Sequence, residues 1–493
     1  VGAGALSANV NGFNNTAVGS SALASSTANS NTAVGSVTLF SNTTGQQNTA
    51  VGAFAMNANV SGSDNTAMGV GALQLNTASN NTAVGSLALD ANTGGSSNTA
   101  VGRGALGANQ NGAESTAVGA NALAANTATG NTAVGANALD TNTSGTNNTA
   151  VGRNALGANT TAAGNTAVGS EALAASNAGT AVDNTAVGSS ALSSSTSGER
   201  NTAVGRSALA SATSTSNTTA VGANALAAFM SGIGNTAVGT NALLNATGAG
   251  NTAIGNGALQ STTGGTNNVG VGQIAGANAT TGSNNIYIGN SAGGGLVSGS
   301  QNIYIGSGAA SSGESNSIHI GSAQTTAFIA GIRGVAVAGG SAVVVDASGQ
   351  LGDAMASSRR LKQDIDDMGE ASARLLQLRP VVFRYRRPAA DGSKPIEFGL
   401  IAEEVAELMP ELVVYDAEGQ PSGVRYHVLP ALLLNELQRQ QTQLAEKDKR
   451  IGEMERQVEA VQELVAKQAA ELAELKAALR TTLAANRPSG NGR

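Results

Sequence analysis

Along the first two thirds of the chain, small apolar and polar positions alternate in a unit that keeps returning. In Asn15-Thr16-Ala17-Val18-Gly19, extended geometry places Thr16 and Val18 on one face and Ala17 on the other. The unit's glycine recurs at Gly35, Gly52, Gly69 and onward to Gly321, mostly every 16 or 17 residues. A fixed period of this size predicts a solenoid or roll with one short unit per turn. The following Ala22-Leu23 predicts a second short strand, and the NT, NG and SG clusters predict turns. Gly, Asn, Ser and Thr at this density compete against helix. Both faces of the strand carry apolar groups, and a single roll buries only one of them. The other is expected to meet a neighbouring chain, most simply in a three-fold fibre. With strands ~4.8 Å apart, nineteen turns would make a rod on the order of 90 Å long.

Towards the end of the repeats the pattern drifts to NIYIG at Asn285–Gly289 and Asn302–Gly306, then to SIHIG at Ser317–Gly321. Ile and Tyr replace Ala and Val, so the core is expected to thicken; His319 reads as a structural residue of this last strand. A β-rich neck follows over 322–356, with one strand and turn over Ala327–Val335. A second strand at Ala342–Val345 and the turn Asp346–Gly349 lead into Gln350-Leu351-Gly352 as a hairpin.

From residue 357 the pattern turns globular. A helix is predicted over Glu370–Leu378, stopping before Pro380, and strands at Val381–Tyr385 and Ile396–Ile401. A helix over Ala402–Leu408 ends before Pro410. Strands Val413–Tyr415 and Val424–Tyr426 bracket a turn at Glu418–Pro421. Then Leu437, Leu444, Ile451, Val458, Val465, Leu472 and Leu479 fall seven apart, with companions at Leu433, Gln440, Lys447, Met454, Val461, Gln468 and Leu475. A heptad sustained this long predicts a coiled coil, in which polar Gln440, Lys447 and Gln468 help set register and chain number. Gly452 is its soft point. The expected organisation is a repeat roll over 1–321, a neck over 322–356, a small α+β unit over 357–430, a coiled coil over 431–481 and a disordered tail over 482–493.

Composition sharpens this division. Of 493 residues 66 are Gly, aromatics are 2%, charged residues 11%, and Cys and Trp are absent. The first Lys is Lys362, so everything before it relies on Ser, Thr and Asn for solubility. A net charge of −6 over this length points neither to nucleic acid nor to an acidic membrane as partner. No run approaches the ~18 apolar residues of a membrane span. Because the sequence begins at Val1, inside a repeat, a signal peptide or anchor upstream remains compatible with it. The N-x-T sequons are by-products of the repeat.

The repeats resemble the heads of trimeric autotransporter adhesins of the YadA type, which implies a trimeric left-handed parallel β-roll. Further on, SSRRLKQDI, LRPVVFRY, FGLIAEEV and VRYHVLPALLLNEL follow in order before the heptads. This set resembles the self-cleaving intramolecular chaperone domain at the C-terminus of phage endosialidases, tail spikes and tail fibres. The resemblance implies a homotrimer-forming chaperone released by autoproteolysis, with Ser357 as nucleophile and Lys362 as its base. Ser357, Arg360, Leu361 and Lys362 match that family's Ser-Asp-x-Arg-Leu-Lys, whereas Ser358 stands where Asp is usual. It also implies a location on a virion or at an extracellular cell surface, with a cell-surface or glycan receptor as partner.

The chemistry constrains the geometry independently. Residues five apart on an α-helix diverge by about 140°, so Ser357 is expected in a turn ahead of a helix, with Ser358 at the N-cap. For Lys362 to act as a base near neutrality its ammonium must lose a proton. Burial in a trimer interface beside Arg359 and Arg360 would favour that loss. Ser activated by Lys is a known form of covalent catalysis. Elsewhere Glu403 and Glu404 are adjacent and face different ways on a helix, which makes a poor acid/base pair. His427 has no acidic partner placed by sequence, and neither a phosphate loop, metal spacing nor cofactor motif is present. No glycan-hydrolysing domain is visible. Two other readings stay open: a permanently attached trimeric adhesin whose C-terminal module only clamps the trimer, and an ice-binding array along Thr16, Thr32, Thr49, Thr66 and Thr82.

Overall fold

In a computed structural model the chain divides into two compact units, Val1–Ala330 and Gly331–Arg493. The structure describes residues 1–177, 179–308, 310–324, 326–327, 329, 343–345, 351–353, 358–388, 392–416 and 418–486.

The first unit is a parallel β-solenoid of nineteen three-residue strands, from β1 (Thr16–Val18) to β19 (Ile318–Ile320). Each strand pairs in register with the next turn: Thr16 lies opposite Thr32, Ala17 opposite Ala33 and Val18 opposite Val34, and so on to Ile303 opposite Ile318. The central Ala points inward and is fully buried from Ala33 to Ala253, while Thr and Val flank it on the outside. Just beyond each strand from β1 to β16, Gly19 and its successors to Gly272 hold φ near +135°, and a Cβ on Gly19 would sit 2.3 Å from the Gly35 carbonyl oxygen. Only glycine lets neighbouring coils approach this closely.

The expected second strand at Ala22-Leu23 is not a strand. Leu23 adopts φ 51°, and a left-handed Leu or Met recurs at this place in almost every coil. Its amide still bonds to the next coil, Leu23 N–H to Thr38 O at 3.0 Å and Leu39 N–H to Ala55 O at 3.0 Å. The left-handed turn costs roughly 1–2 kcal/mol per residue. It aims the leucine into the core, where full burial contributes about 1.5–3 kcal/mol.

Asparagine also departs from expectation. Rather than facing solvent, the Asn before each strand is buried in most coils. Asn48 Nδ2 donates to Gly62 O at 2.8 Å, and Asn48 Oδ1 accepts the Asn65 amide at 3.1 Å. The same pair of bonds recurs at Asn31, Asn81 and Asn148. A buried amide is tolerated because its donor and acceptor are both satisfied by neighbouring turns.

At its C-terminal end the solenoid core becomes aromatic. Tyr287 and Tyr304 are fully buried and stack with ring centroids 5.7 Å apart, and Tyr304 stacks on His319 at 5.0 Å. Tyr304 Oη donates to Glu314 Oε2 at 3.1 Å, and His319 Nε2 pairs with Glu314 Oε1. His319 is therefore a structural residue of this cap. Burial opposes the Glu314 charge, but hydrogen bonds from His319, Ser317, the Ser311 amide and Tyr304 outweigh it and hold its pKa down at about 2.

In the second unit, β20 (Val343–Val345) and β21 (Leu351–Asp353) form the expected antiparallel hairpin. Its turn at 346–349, and most of the strand predicted over 327–335, lie outside the described residues. The predicted helix over 370–378 is a single 3-10 segment, Ala373–Gln377. Strand β22 (Val381–Phe383) pairs antiparallel with β23 (Glu397–Gly399), and α1 spans Ala402–Leu408 as predicted. Strand β24 (Val413–Tyr415) pairs with β25 (Pro421–Val424), which begins three residues before the predicted strand; Tyr426 instead opens a 3-10 turn. Helix α2 runs unbroken through Gly452 from Leu429 to Ala485. A small core of Leu375, Val405, Met409, Leu412 and Val413 holds the unit together.

Two outcomes follow. Asn148→Ala should lower stability by about 1–3 kcal/mol, because the Asn165 amide and the Ala162 carbonyl lose partners. Thr149→Ala, on the outer face, should change it by less than about 0.5 kcal/mol. Amide exchange across β8 (Thr132–Val134) to β10 (Thr166–Val168) measures both. For the aromatic cap, a carboxyl with a depressed pKa stabilises the fold above its unfolded pKa of about 4.3 and loses that contribution as pH falls toward about 2. Amide protection at Ile303–Ile305, relative to the intrinsic exchange rate at each pH, should fall across that window, and Glu314→Gln should flatten the dependence.

Candidate functional site

The candidate site lies within the C-terminal unit, at the start of the described segment 358–388. Ser357 lies outside the described residues. Directly after it, Ser358 is extended (φ −66°, ψ 134°) and stands at the N-cap of a one-turn 3-10 helix, Arg359–Leu361. Its side chain makes no capping bond, unlike the expectation, since so short a turn closes a single backbone bond, Lys362 N–H to Arg359 O at 3.1 Å. Lys362 then returns to extended geometry (φ −124°, ψ 146°) and is exposed in the single chain. Between positions 358 and 362 the chain is a single 3-10 turn flanked by extended residues, so Lys362 does not continue on a straight helix.

The segment 363–370 that follows is exposed, with Asp364 left-handed at φ 53°. It is anchored at its end by a polar network that sequence reasoning missed. Ser372, fully buried, donates to Glu436 Oε2 at 3.0 Å and accepts from Asn435 Nδ2 at 2.7 Å. Asn435 Nδ2 also reaches Gly369 O at 2.9 Å. Arg439 bonds Glu436 Oε2 at 3.0 Å and Glu370 Oε1 at 3.2 Å. Thus the first turns of α2 clamp the chain that carries the candidate base. In the sequence the only signal was that Asn435, Glu436 and Arg439 interrupt a leucine-rich run.

The other candidates separate clearly. Glu404 pairs with Arg379, whose guanidinium hydrogen bonds hold its carboxyl below the usual range; the pair is exposed and structural. Glu403 is not part of that pair, and His427 is exposed in the 3-10 turn before α2. The Tyr426 hydroxyl accepts the Leu400 amide at 2.9 Å and ties the end of β23 to the start of α2. Among the described residues, no group of three or more His, Asp or Glu could hold a metal ion, and no helix is long and apolar enough to cross a membrane.

A parallel β-solenoid joined to a small α+β unit and a 57-residue helix defines a fibre-like repeat protein with a C-terminal helical module. Within it, residues 357–414 match the family model described as chaperone of endosialidase, which begins at the candidate nucleophile and ends in β24. No curated protein and no solved structure matches the chain.

The clamp has a measurable weight. Glu436→Ala should leave the buried Ser372 hydroxyl and Arg439 short of a partner and destabilise the C-terminal unit by about 1–3 kcal/mol in urea unfolding. Glu403→Ala should be close to neutral.

Proposed function

We propose that the chain is a tail-fibre-like or adhesin-like trimeric structural fibre, matured by its own C-terminal chaperone. That module holds three chains together during folding of the solenoid and is then released by cleavage at Ser357. The observation carrying this reading is the chaperone-of-endosialidase match, which lies C-terminal to a nineteen-strand solenoid. Helix α2 supports the oligomer: apart from Glu436 none of its residues is buried, and its heptad positions, such as Leu437 at 65% exposure, lie open in the single chain. Such a seam is stable in water only when other helices cover it. On the solenoid, exposed Val18, Val118, Val134 and Val168 leave an outer apolar stripe that fits neighbouring copies.

In the proposed reaction the Lys362 amine takes the Ser357 hydroxyl proton, and Oγ attacks the carbonyl carbon of the adjoining peptide bond. The C–N bond breaks, the leaving amine takes a proton from the lysine, and the resulting ester is hydrolysed by water. Lys362 is exposed in the single chain, so assembly supplies the burial that its role as base requires. The natural location of such a fibre is a virion tail or an extracellular surface, and its partner a surface or glycan receptor.

Gel mobility tests the reaction. Wild type should yield a C-terminal fragment of about 137 residues, cut at one of the peptide bonds adjoining Ser357, and Ser357→Ala and Lys362→Met should each abolish it while leaving a folded full-length fibre. A full-length band from folded wild type would favour a permanent trimerisation clamp instead.

A further inference from the structure

The C-terminal unit carries two exposed surfaces of complementary character, and among the described residues no ion pair joins them. One is the outward face of the β22–β23 hairpin. Val382 and Phe398 are cross-strand partners, exposed by 64% and 77%, and Phe398 borders a groove of about 400 Å³ with Pro380, Leu400, Tyr426 and Leu429. Arg384, Arg386 and Arg387 extend from the end of β22 and are all exposed. A second groove, of about 410 Å³, opens between Arg387 and Lys394.

The other surface is the segment Gln363–Met368, whose residues are all exposed. It interleaves Ile365 and Met368, exposed by 52% and 40%, with Asp364, Asp366 and Asp367. Among the described residues, no ion pair involves these three carboxylates or the three arginines. Apolar residues spaced among acids on one element, and an apolar pair beside arginines on another, are complementary in both hydrophobicity and charge.

We propose that Gln363–Met368 of one copy docks on the β22–β23 hairpin of a neighbouring copy. Ile365 and Met368 cover Val382 and Phe398, while Asp364, Asp366 and Asp367 face Arg384, Arg386 and Arg387. This inference rests on the multimeric reading above and deepens it. The docked segment begins one residue after Lys362, so the contact fixes the backbone that presents the base. Each site is then completed by the next subunit, and cleavage waits for a correctly placed neighbour. Exposed flanking residues that order on contact are a general route to such coupling.

Two full-length variants test it: Arg386→Glu with Arg387→Glu, and Asp366→Arg with Asp367→Arg. Each alone should still sediment as a trimer through α2 but release the fragment roughly tenfold more slowly, since like charges now oppose one another. Refolding the two variants together should restore cleavage, because mixed trimers bring a reversed segment onto a reversed face. A mixture as slow as its parents would overturn contact between copies, and wild-type rates in either variant alone would show that the face serves another partner or none. A readout independent of cleavage uses the absence of native cysteine. In the Ser357→Ala background, differently tagged chains carrying Asp367→Cys or Arg387→Cys should form a disulfide-linked heterodimer in air. A trimeric protein that forms no such link overturns the docking alone; a monomeric wild type overturns both docking and the assembly reading.

Discussion

Each turn of the solenoid leaves buried polar groups to be satisfied by the next turn. Asn48 gives its amide hydrogens to Gly62 and its oxygen to Asn65, and Thr49 pairs with Thr66. A single coil therefore holds buried, unpaired amides, and each added coil repays part of what the previous one lacks. Such a structure is stable as a stack and poor as an isolated unit. This requirement explains the rigid recurrence of Asn, Ala, Gly and Leu: a change at any of these columns is felt in two neighbouring turns.

The same constraint makes the ends special. While the asparagine ladder runs on through Asn285 and Asn302 to Ser317, the inner strand column changes from Ala to Tyr287, Tyr304 and His319, whose rings stack, and Glu314 joins the last two. The cap thus adds ring stacking in the inner column beside the ladder in the last turns. A long parallel solenoid also forms contacts that must begin in register, because a slip would face Asn with Ala. A C-terminal module that aligns several chains before the solenoid closes would set that register, which gives the proposed chaperone a physical reason to stand next to this fold.

The C-terminal unit is organised on the opposite principle. Its core is small, its 57-residue helix shows its apolar seam to solvent, and its best-buried polar group, Ser372, is held by residues more than 60 positions away. Much of its apolar surface is exposed in the single chain, so the association proposed above would complete the fold and supply the proposed chemistry in one event.

Periodicity determined the solenoid, since a repeat of 16 or 17 residues demands one short unit per turn, but with apolar groups on both strand faces only the structure shows that Ala turns inward. It likewise determined the heptad helix, and the ordered motifs around Ser357 and Lys362 singled out the candidate dyad. Local pattern could not show that Leu23 turns left-handed, because that conformation is favoured only once the next coil accepts its bonds and the core accepts its side chain. Nor could it show that the repeat asparagines are buried, since an amide reads as polar until its partners one turn away are in place. The Ser372–Glu436–Arg439 clamp lies beyond sequence reading for the same reason. Its members are distant along the chain, and only tertiary packing brings them within hydrogen-bond reach.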